Sequence, residues 1–104
     1  MEINAGRKLL TLVIVMHIDP EVIDDRIRSI EEQARIYSTH PGFVSCSIHR
    51  SIDNTHIVEY IQWESLAHLQ AVASDVNYVH PAGFATSIDV SVLDVVDVIE
   101  PATS

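Results

Sequence analysis

The sequence predicts an α+β domain in which strands and helices follow the order β-α-β-β-α-β. Three observations indicate this order. An apolar, strand-like run covers residues 9–16, a segment with helical periodicity covers residues 23–37, and a hairpin pattern of two alternating strands covers residues 43–63. A second short helix and a last strand complete the set. This is the split βαβ, or ferredoxin-like, arrangement, in which a four-stranded antiparallel sheet carries both helices on one face.

The first strand and the first helix have clear signals. Residues 9–16 are apolar, but the run is too short to cross a bilayer and no cleavage site follows it. Asp19 and Pro20 then predict a helix start, because Asp is a favoured N-cap and Pro fits the first helical turn. The helix is predicted to end near Thr39. Its apolar face consists of Ile23, Ile27, Ile30, Ala34 and Tyr37.

The hairpin is predicted from two alternating segments, residues 43–49 and 56–63. Asp53 and Asn54 lie between them and are typical turn residues. The hairpin therefore supplies the second and third strands of the sheet.

The remaining elements are predicted from a helix-capping residue and from residues that interrupt helices and strands. Ser65 is the predicted N-cap of a short second helix. We expect a loop over residues 77–86 and a last strand over 88–99. The predicted apolar stripe of the second helix is Leu66, Leu69, Val72 and Ala73.

Size and charge exclude several classes of protein. The 104 residues fit one domain, which we place at residues 9–99, between a flexible N-terminus (1–8) and a C-terminal tail (100–104). A net charge of −9, with only six Lys and Arg, argues against a nucleic-acid partner, since phosphate binding needs a basic face. No segment predicts membrane insertion. The single cysteine allows no internal disulfide and favours a cytoplasmic protein.

The first strand also predicts a homodimer. Leu12 and Ile14 are apolar in one phase of the strand, and Val13 and Val15 are apolar in the other. Two helices cover only one face of a sheet, so the second face needs another partner. We expect a second copy of the chain to stack on it, sheet to sheet.

Three short motifs carry a resemblance to a known family. They are a Pro-Gly-Phe entry to the second strand at residues 41–43, a His-Arg-Ser-x-Asp hairpin at 49–53, and a Tyr-x-Gln-Trp-x-Ser segment at 60–65. In this order and spacing they resemble the antibiotic biosynthesis monooxygenase family over roughly residues 9–99. The resemblance implies a dimeric α/β barrel, with a pocket in each subunit between the sheet and its own helices.

The resemblance also implies a range of activities. Some members of the family are quinol or anthrone oxygenases that use O2 as co-substrate without metal or flavin, while others degrade heme, isomerise a substrate or have no assigned reaction. The fold alone does not select among them. We expect a cofactor-independent monooxygenase acting on a small aromatic substrate of quinol, anthrone or polyketide type. The alternatives are a non-redox isomerase or cyclase of the same fold, and a non-catalytic ligand-binding dimer.

The catalytic candidates lie on the third strand, where alternation places Glu59, Ile61 and Trp63 on one face. In the anthrone-oxidising relatives, an Asn and a Trp four residues apart are the pair proposed to contact the substrate. Trp63 matches that Trp, and Glu59 stands in place of the Asn. Apolar neighbours would raise the pKa of Glu59 and make it a general base, with Trp63 orienting the substrate. The alternatives are a Glu at a pocket mouth and a Trp that only fills the core.

Further substrate-binding candidates are Ile61, Tyr78, His80 and Tyr37. His80 is a pocket hydrogen-bonding residue in one interpretation and an ordinary loop histidine in the other, while Tyr37 closes the pocket or simply packs on the sheet. Heme is disfavoured, because Val72 stands where the heme-degrading relatives carry a further Trp. The histidines show no metal-binding spacing, so we expect no metal site and no cofactor.

Overall fold

The computed structural model describes residues 9–74 and 87–102. The described elements are, in chain order, β1 (Leu10–His17), α1 (Ile23–Tyr37), β2 (Phe43–Arg50), β3 (His56–Trp63), α2 (Leu66–Ala73) and β4 (Ser87–Asp94). They form one antiparallel four-stranded sheet in the order β2-β3-β1-β4. The predicted ferredoxin-like fold is thereby confirmed.

The core lies between the sheet and the helices. Strand alternation turns one side of each strand toward this core, and on β1 the buried residues include Leu12, Ile14 and Met16. Ile30 and Tyr37 of α1 belong to the same buried cluster. The predicted apolar face of α1 is therefore the face that packs on the sheet.

A β-bulge in β2 decides which of its side chains enter this core. Phe43 pairs with Trp63, but Ser45 pairs with Gln62, so Val44 is an extra residue on β2. A shift of one residue moves every following side chain to the opposite face. Without the bulge, the serines of β2 would face the helices. With it, Cys46 takes the inward position, in register with Ile61.

The start of α1 differs from its prediction. The helix begins at Ile23, and its N-cap position, Val22, makes no side-chain capping bond. The Asp19 carboxylate instead accepts a hydrogen bond from the backbone N–H of Glu21 at 2.9 Å, and the Asp19 carbonyl accepts from the Val22 N–H. Asp19 therefore stabilises a separate turn ahead of the helix.

The buried stripe of α2 and the length of β4 are both smaller than predicted. On α2, Ser65 is the N-cap as expected, but Leu66 is 48% exposed and Val72 is the buried residue of the predicted stripe. The last strand ends at Asp94 because Asp94 pairs with Leu10, the first residue of β1, which leaves no β1 residue to pair with the next. The predicted 77–86 loop lies outside the described residues.

The outer face of the sheet, which is the side away from the helices, is apolar along its middle. Val13 lies opposite Tyr60, and Val15 lies opposite Val58, all four half-buried. Such cross-strand pairs form a continuous apolar strip. Neither described helix is long and apolar enough to cross a membrane.

Candidate active site

The three predicted residues of β3 share its helix-facing side. Glu59, Ile61 and Trp63 alternate along the strand and are only 3%, 2% and 1% exposed. Their register partners on β1 are Ile14, Leu12 and Leu10 in the same order. The site candidates are thus brought together inside the core, where water has little access.

Glu59 is a carboxyl group in apolar surroundings. It lies between Ile14 on β1 and Ile48 on β2, its register partners on either side. Its hydrogen-bond donor among the described residues is the Cys46 thiol, whose Sγ lies 3.9 Å from Oε2. Burial raises the pKa of Glu59 from 4.5 to about 7, and the thiol hydrogen bond opposes part of that rise. Glu59 can therefore change its protonation state near neutral pH.

The Trp63 side chain carries an unpaired donor. Its indole N–H is buried, and it has no hydrogen-bond partner among the described residues. The Phe43 ring packs edge-on against the indole, with the ring centroids 5.5 Å apart. A buried N–H without a partner is costly, and buried tryptophans usually find an acceptor. The indole N–H is thus an unsatisfied donor in the described part of the core.

A small cavity lies beside these groups. Its volume is about 20 Å³, enough for about one water molecule. A site for an aromatic ligand needs about 300 Å³ or more, so such a ligand requires lining side chains to move. The lining residues are Leu12, Ile14, Tyr37, Ile61, Trp63, Leu69 and Val72.

The cavity contains some of the predicted site residues and not others. Tyr37, Ile61 and Trp63 line it together, whereas Glu59 is not among its described lining residues and lies next to one of them, Ile14. Tyr78 and His80 lie outside the described residues, so their predicted substrate contacts stay predictions.

The sequence analysis did not assign Leu12, Ile14 or Cys46 to the candidate site. Leu12 and Ile14 could have been found, because alternation on the first strand puts both on the core side. The Cys46 thiol could not, because its inward direction depends on the bulge at Val44, which carries no glycine or other recognisable signal.

The remaining chemistry of the described residues is limited. Burial, followed by the neighbouring Glu59 carboxyl, raises the pKa of Cys46 to about 12, so this cysteine stays a thiol and not a nucleophilic thiolate. Within residues 9–74 and 87–102, no three His, Cys, Asp or Glu side chains cluster as metal ligands would.

A larger cleft of about 580 Å³ lies at the sheet edge between α1 and β2. Ile27 and Ile48 form its apolar part, and its charges pair with neighbouring charges. Arg50, for example, binds Asp24 at 2.6 Å across the cleft. Because the charged groups of this cleft already pair with one another or with neighbours, we take the core cavity as the candidate site.

Together, the fold and the site define a ferredoxin-like domain with a buried carboxyl group and a buried indole on one strand of its sheet. The family model for antibiotic biosynthesis monooxygenases matches residues 9–75. The chain belongs to this family.

Known relatives agree with the family assignment. Tetracenomycin-F1 monooxygenase from Streptomyces glaucescens is 34% identical over 76 residues, which are 70% of this chain and 66% of that protein. The chain thus matches slightly less than two thirds of that relative's length.

Two solved structures share the fold. SnoaB, a cofactor-independent oxygenase from Streptomyces nogalater, superposes with a TM-score of 0.75 at 13% identity, over 90% of this chain and 99% of its own. The ActVA-Orf6 monooxygenase of Streptomyces coelicolor, solved with nanaomycin D, gives a TM-score of 0.72 at 21% identity, over 98% of this chain and 100% of its own.

Proposed function

We propose that this protein is a cofactor-independent monooxygenase that uses O2 to oxidise a small aromatic substrate of quinol, anthrone or polyketide type. The observation that carries the proposal is that a buried proton acceptor, Glu59, and a buried donor without a hydrogen-bond partner among the described residues, Trp63, lie on the same face of β3. Family membership and the monooxygenase names of the relatives support the reaction class.

The spacing of the two groups favours an elongated ligand. Four residues along a strand correspond to about 13 Å between the Cα atoms of Glu59 and Trp63. A fused-ring substrate can approach the carboxyl group at one end and the indole N–H at the other. Among the structures that share this fold, one holds nanaomycin D, which supports a ligand of polyketide type.

The reaction needs little from the protein beyond proton transfer and exclusion of water. Glu59 as carboxylate accepts a proton from the substrate, and the resulting phenolate or enolate is electron-rich enough to reduce O2. For an anthrone, the CH2 group becomes C=O, one oxygen atom enters the product, and the other leaves as water. The substrate supplies all four electrons, so the balance requires no external reductant. The Trp63 N–H donates to a substrate oxygen and orients the ring system.

Oxygen uptake by protein freed of metal and flavin tests this proposal. With an anthrone or a naphthohydroquinone, we expect wild-type protein to consume O2 well above the spontaneous rate. Glu59→Gln should lower kcat by about 100-fold or more with a smaller effect on KM, because general-base catalysis contributes about that much.

The matched control is Glu64→Gln, which removes an exposed carboxylate five residues away on the chain. We expect it to retain wild-type kinetics. If Glu59→Gln and Glu64→Gln behave alike, Glu59 is not the base.

One observation favours a second candidate function. A carboxyl group with a pKa of about 7 is suited to proton transfer next to a carbonyl, and Glu59 stands where the resemblance places an Asn in anthrone-oxidising relatives. A non-redox isomerase or cyclase would use the same residue without O2. Turnover under anaerobic conditions at the aerobic rate would establish this alternative.

We also propose that the functional unit is a homodimer stacked through the outer face of the sheet. Val15 and Val58 form a direct apolar pair on this face. The same face holds two buried polar atoms, Thr11 Oγ1 and Gln62 Nε2, that lack hydrogen-bond partners among the described residues. A stacked second copy would cover the apolar strip. The cytoplasmic location favoured by the single cysteine stays part of this proposal.

A further inference from the structure

The Cys46 thiol is buried against the carboxyl group to which we assign the proton transfer. Its Sγ lies 3.9 Å from Glu59 Oε2, within hydrogen-bonding distance for sulfur. The bulge at Val44 directs this thiol inward, since an unshifted strand would turn Ser45 and Ser47 to the core instead. Bulges often redirect a side chain next to an active site.

We propose that Cys46 is a positioning residue for Glu59, whose S–H donates to the carboxyl group and holds it in place for proton transfer. The inference rests on the proposed function, in which Glu59 is the base. It assigns to Cys46 no covalent or redox step and no contact with substrate. Because the thiol remains protonated at neutral pH, it is available as a donor throughout the range in which Glu59 titrates.

The neighbours of Glu59 on the two adjacent strands are apolar. On β1, the inward neighbour of Glu59 is the apolar Ile14, and on β2 it is Ile48. Burial and the Cys46 hydrogen bond are the two influences that shift the pKa of Glu59 among the described residues. The elements packed around this region carry these further ionisable side chains: His17 on β1; Asp24, Asp25, Arg26, Arg28, Glu31, Glu32, Arg35 and Tyr37 on α1; His49 and Arg50 on β2; His56 and Tyr60 on β3; and His68 on α2.

Two variants of similar volume separate hydrogen bonding from packing. Cys46→Ala removes the donor, and Cys46→Ser leaves comparable space but restores an O–H donor. Protonation of Glu59 can be followed directly through its carboxyl band, by infrared spectroscopy with isotope-labelled glutamate and Glu59→Gln as the reference. We expect the Glu59 titration midpoint of the Ala variant to lie above that of the Ser variant, by about half a pH unit.

The matched control is Ser47→Ala, on the same strand but with its side chain on the opposite face of the sheet. It should leave the titration of Glu59 unchanged. Equal midpoints for the Ala and Ser variants at position 46, or a lower midpoint for Ala, would overturn the proposal.

A second measurement needs no substitution at Cys46. Because Cys46 is the single cysteine of the chain, the S–H stretching band reports on it alone. We expect this band to shift to lower frequency as Glu59 ionises, and to lose that pH dependence in Glu59→Gln. A band that stays fixed across the Glu59 titration would also overturn the proposal.

These readouts separate the two hypotheses. If the S–H band and the Glu59 midpoint respond as expected but the protein oxidises no substrate, the Cys46 contact stands and the proposed function fails. If the protein turns over but Cys46→Ala and Cys46→Ser share one pH profile, the function stands and the role of Cys46 fails.

Discussion

At the residue scale, two opposing effects act on the pKa of Glu59. Burial disfavours its charged form, and the Cys46 thiol offers only a weak compensating hydrogen bond. A carboxylate in this position therefore costs stability, which selection tolerates most readily where the group has a function. The same physical property that makes Glu59 a candidate base should be measurable as a loss of stability with rising pH.

We predict that the free energy of unfolding contains a Glu59 contribution that falls between pH 4.5 and 7. The folded state keeps the proton up to about pH 7, whereas the unfolded chain releases it near pH 4.5. The stabilisation is thus complete below pH 4.5 and is lost as the pH rises to about 7, with a magnitude of about 3 kcal/mol. Urea denaturation of wild type and Glu59→Gln at several pH values measures it as the changing difference between the two proteins.

Asp53 does not interfere with that measurement. Hydrogen bonds from Thr55 and Ser51 hold the pKa of Asp53 at about 2, so its stabilisation is lost at a pH below the window. The Asp53 contribution is also the same in wild type and in Glu59→Gln. A wild-type minus variant difference that is flat from pH 4.5 to 7 would contradict a buried, titrating Glu59.

At the element scale, the turn into β2 is tied to α2. Gly42 has a φ of +85°, a backbone conformation that side chains rarely adopt, and a Cβ at this position would overlap the His68 ring. The Glu64 N–H donates to the Gly42 carbonyl at 2.8 Å, which joins this turn to the end of β3. Gly42 therefore fixes the entry of the strand that carries the bulge and Cys46.

We predict that Gly42→Ala destabilises the protein by about 2 kcal/mol or more. About 1 kcal/mol comes from the positive φ, and the remainder from the overlap with His68. In a His68→Gly background, which removes the His68 Cβ as well as the ring, the same substitution should cost only the φ contribution. A double-mutant cycle by urea denaturation checks this, and an equal loss in both backgrounds would show that His68 does not set the cost.

Some features of the strands could be predicted from the sequence, and others could not. The bounds of β3 and the inward direction of Glu59 and Trp63 follow from strict alternation, which needs no knowledge of the partner strands. The end of β4 at Asp94 depends on where β1 begins, and the direction of Cys46 depends on a bulge. Both are properties of strand pairing, which local sequence patterns do not contain.

At the scale of the whole molecule, one chain leaves apolar surface on both sides of its sheet. Val90 and Val92 on β4 are about half exposed, and Val13 and Val15 form the apolar strip of the outer face. The excess of apolar residues in a chain of this size is the physical basis for the homodimer proposal.

We predict that Val58→Asp converts the proposed dimer to a monomer, because it places a charge in the middle of the outer face. Sedimentation equilibrium checks the mass, and circular dichroism checks that the fold is retained. The control is Ile52→Asp, in the fully exposed hairpin turn, which should remain a dimer. A wild-type protein that sediments as a monomer would contradict the proposed stacking.

The central claim is that the protein itself inserts oxygen from O2 into an aromatic substrate without a cofactor. Turnover of an anthrone by metal-free and flavin-free protein under ¹⁸O2, with mass spectrometry of the product, tests it most directly. We expect one labelled oxygen atom per product molecule, and a strong loss of labelled product with Glu59→Gln. Product formed without label, or formed equally fast without protein, would contradict the claim.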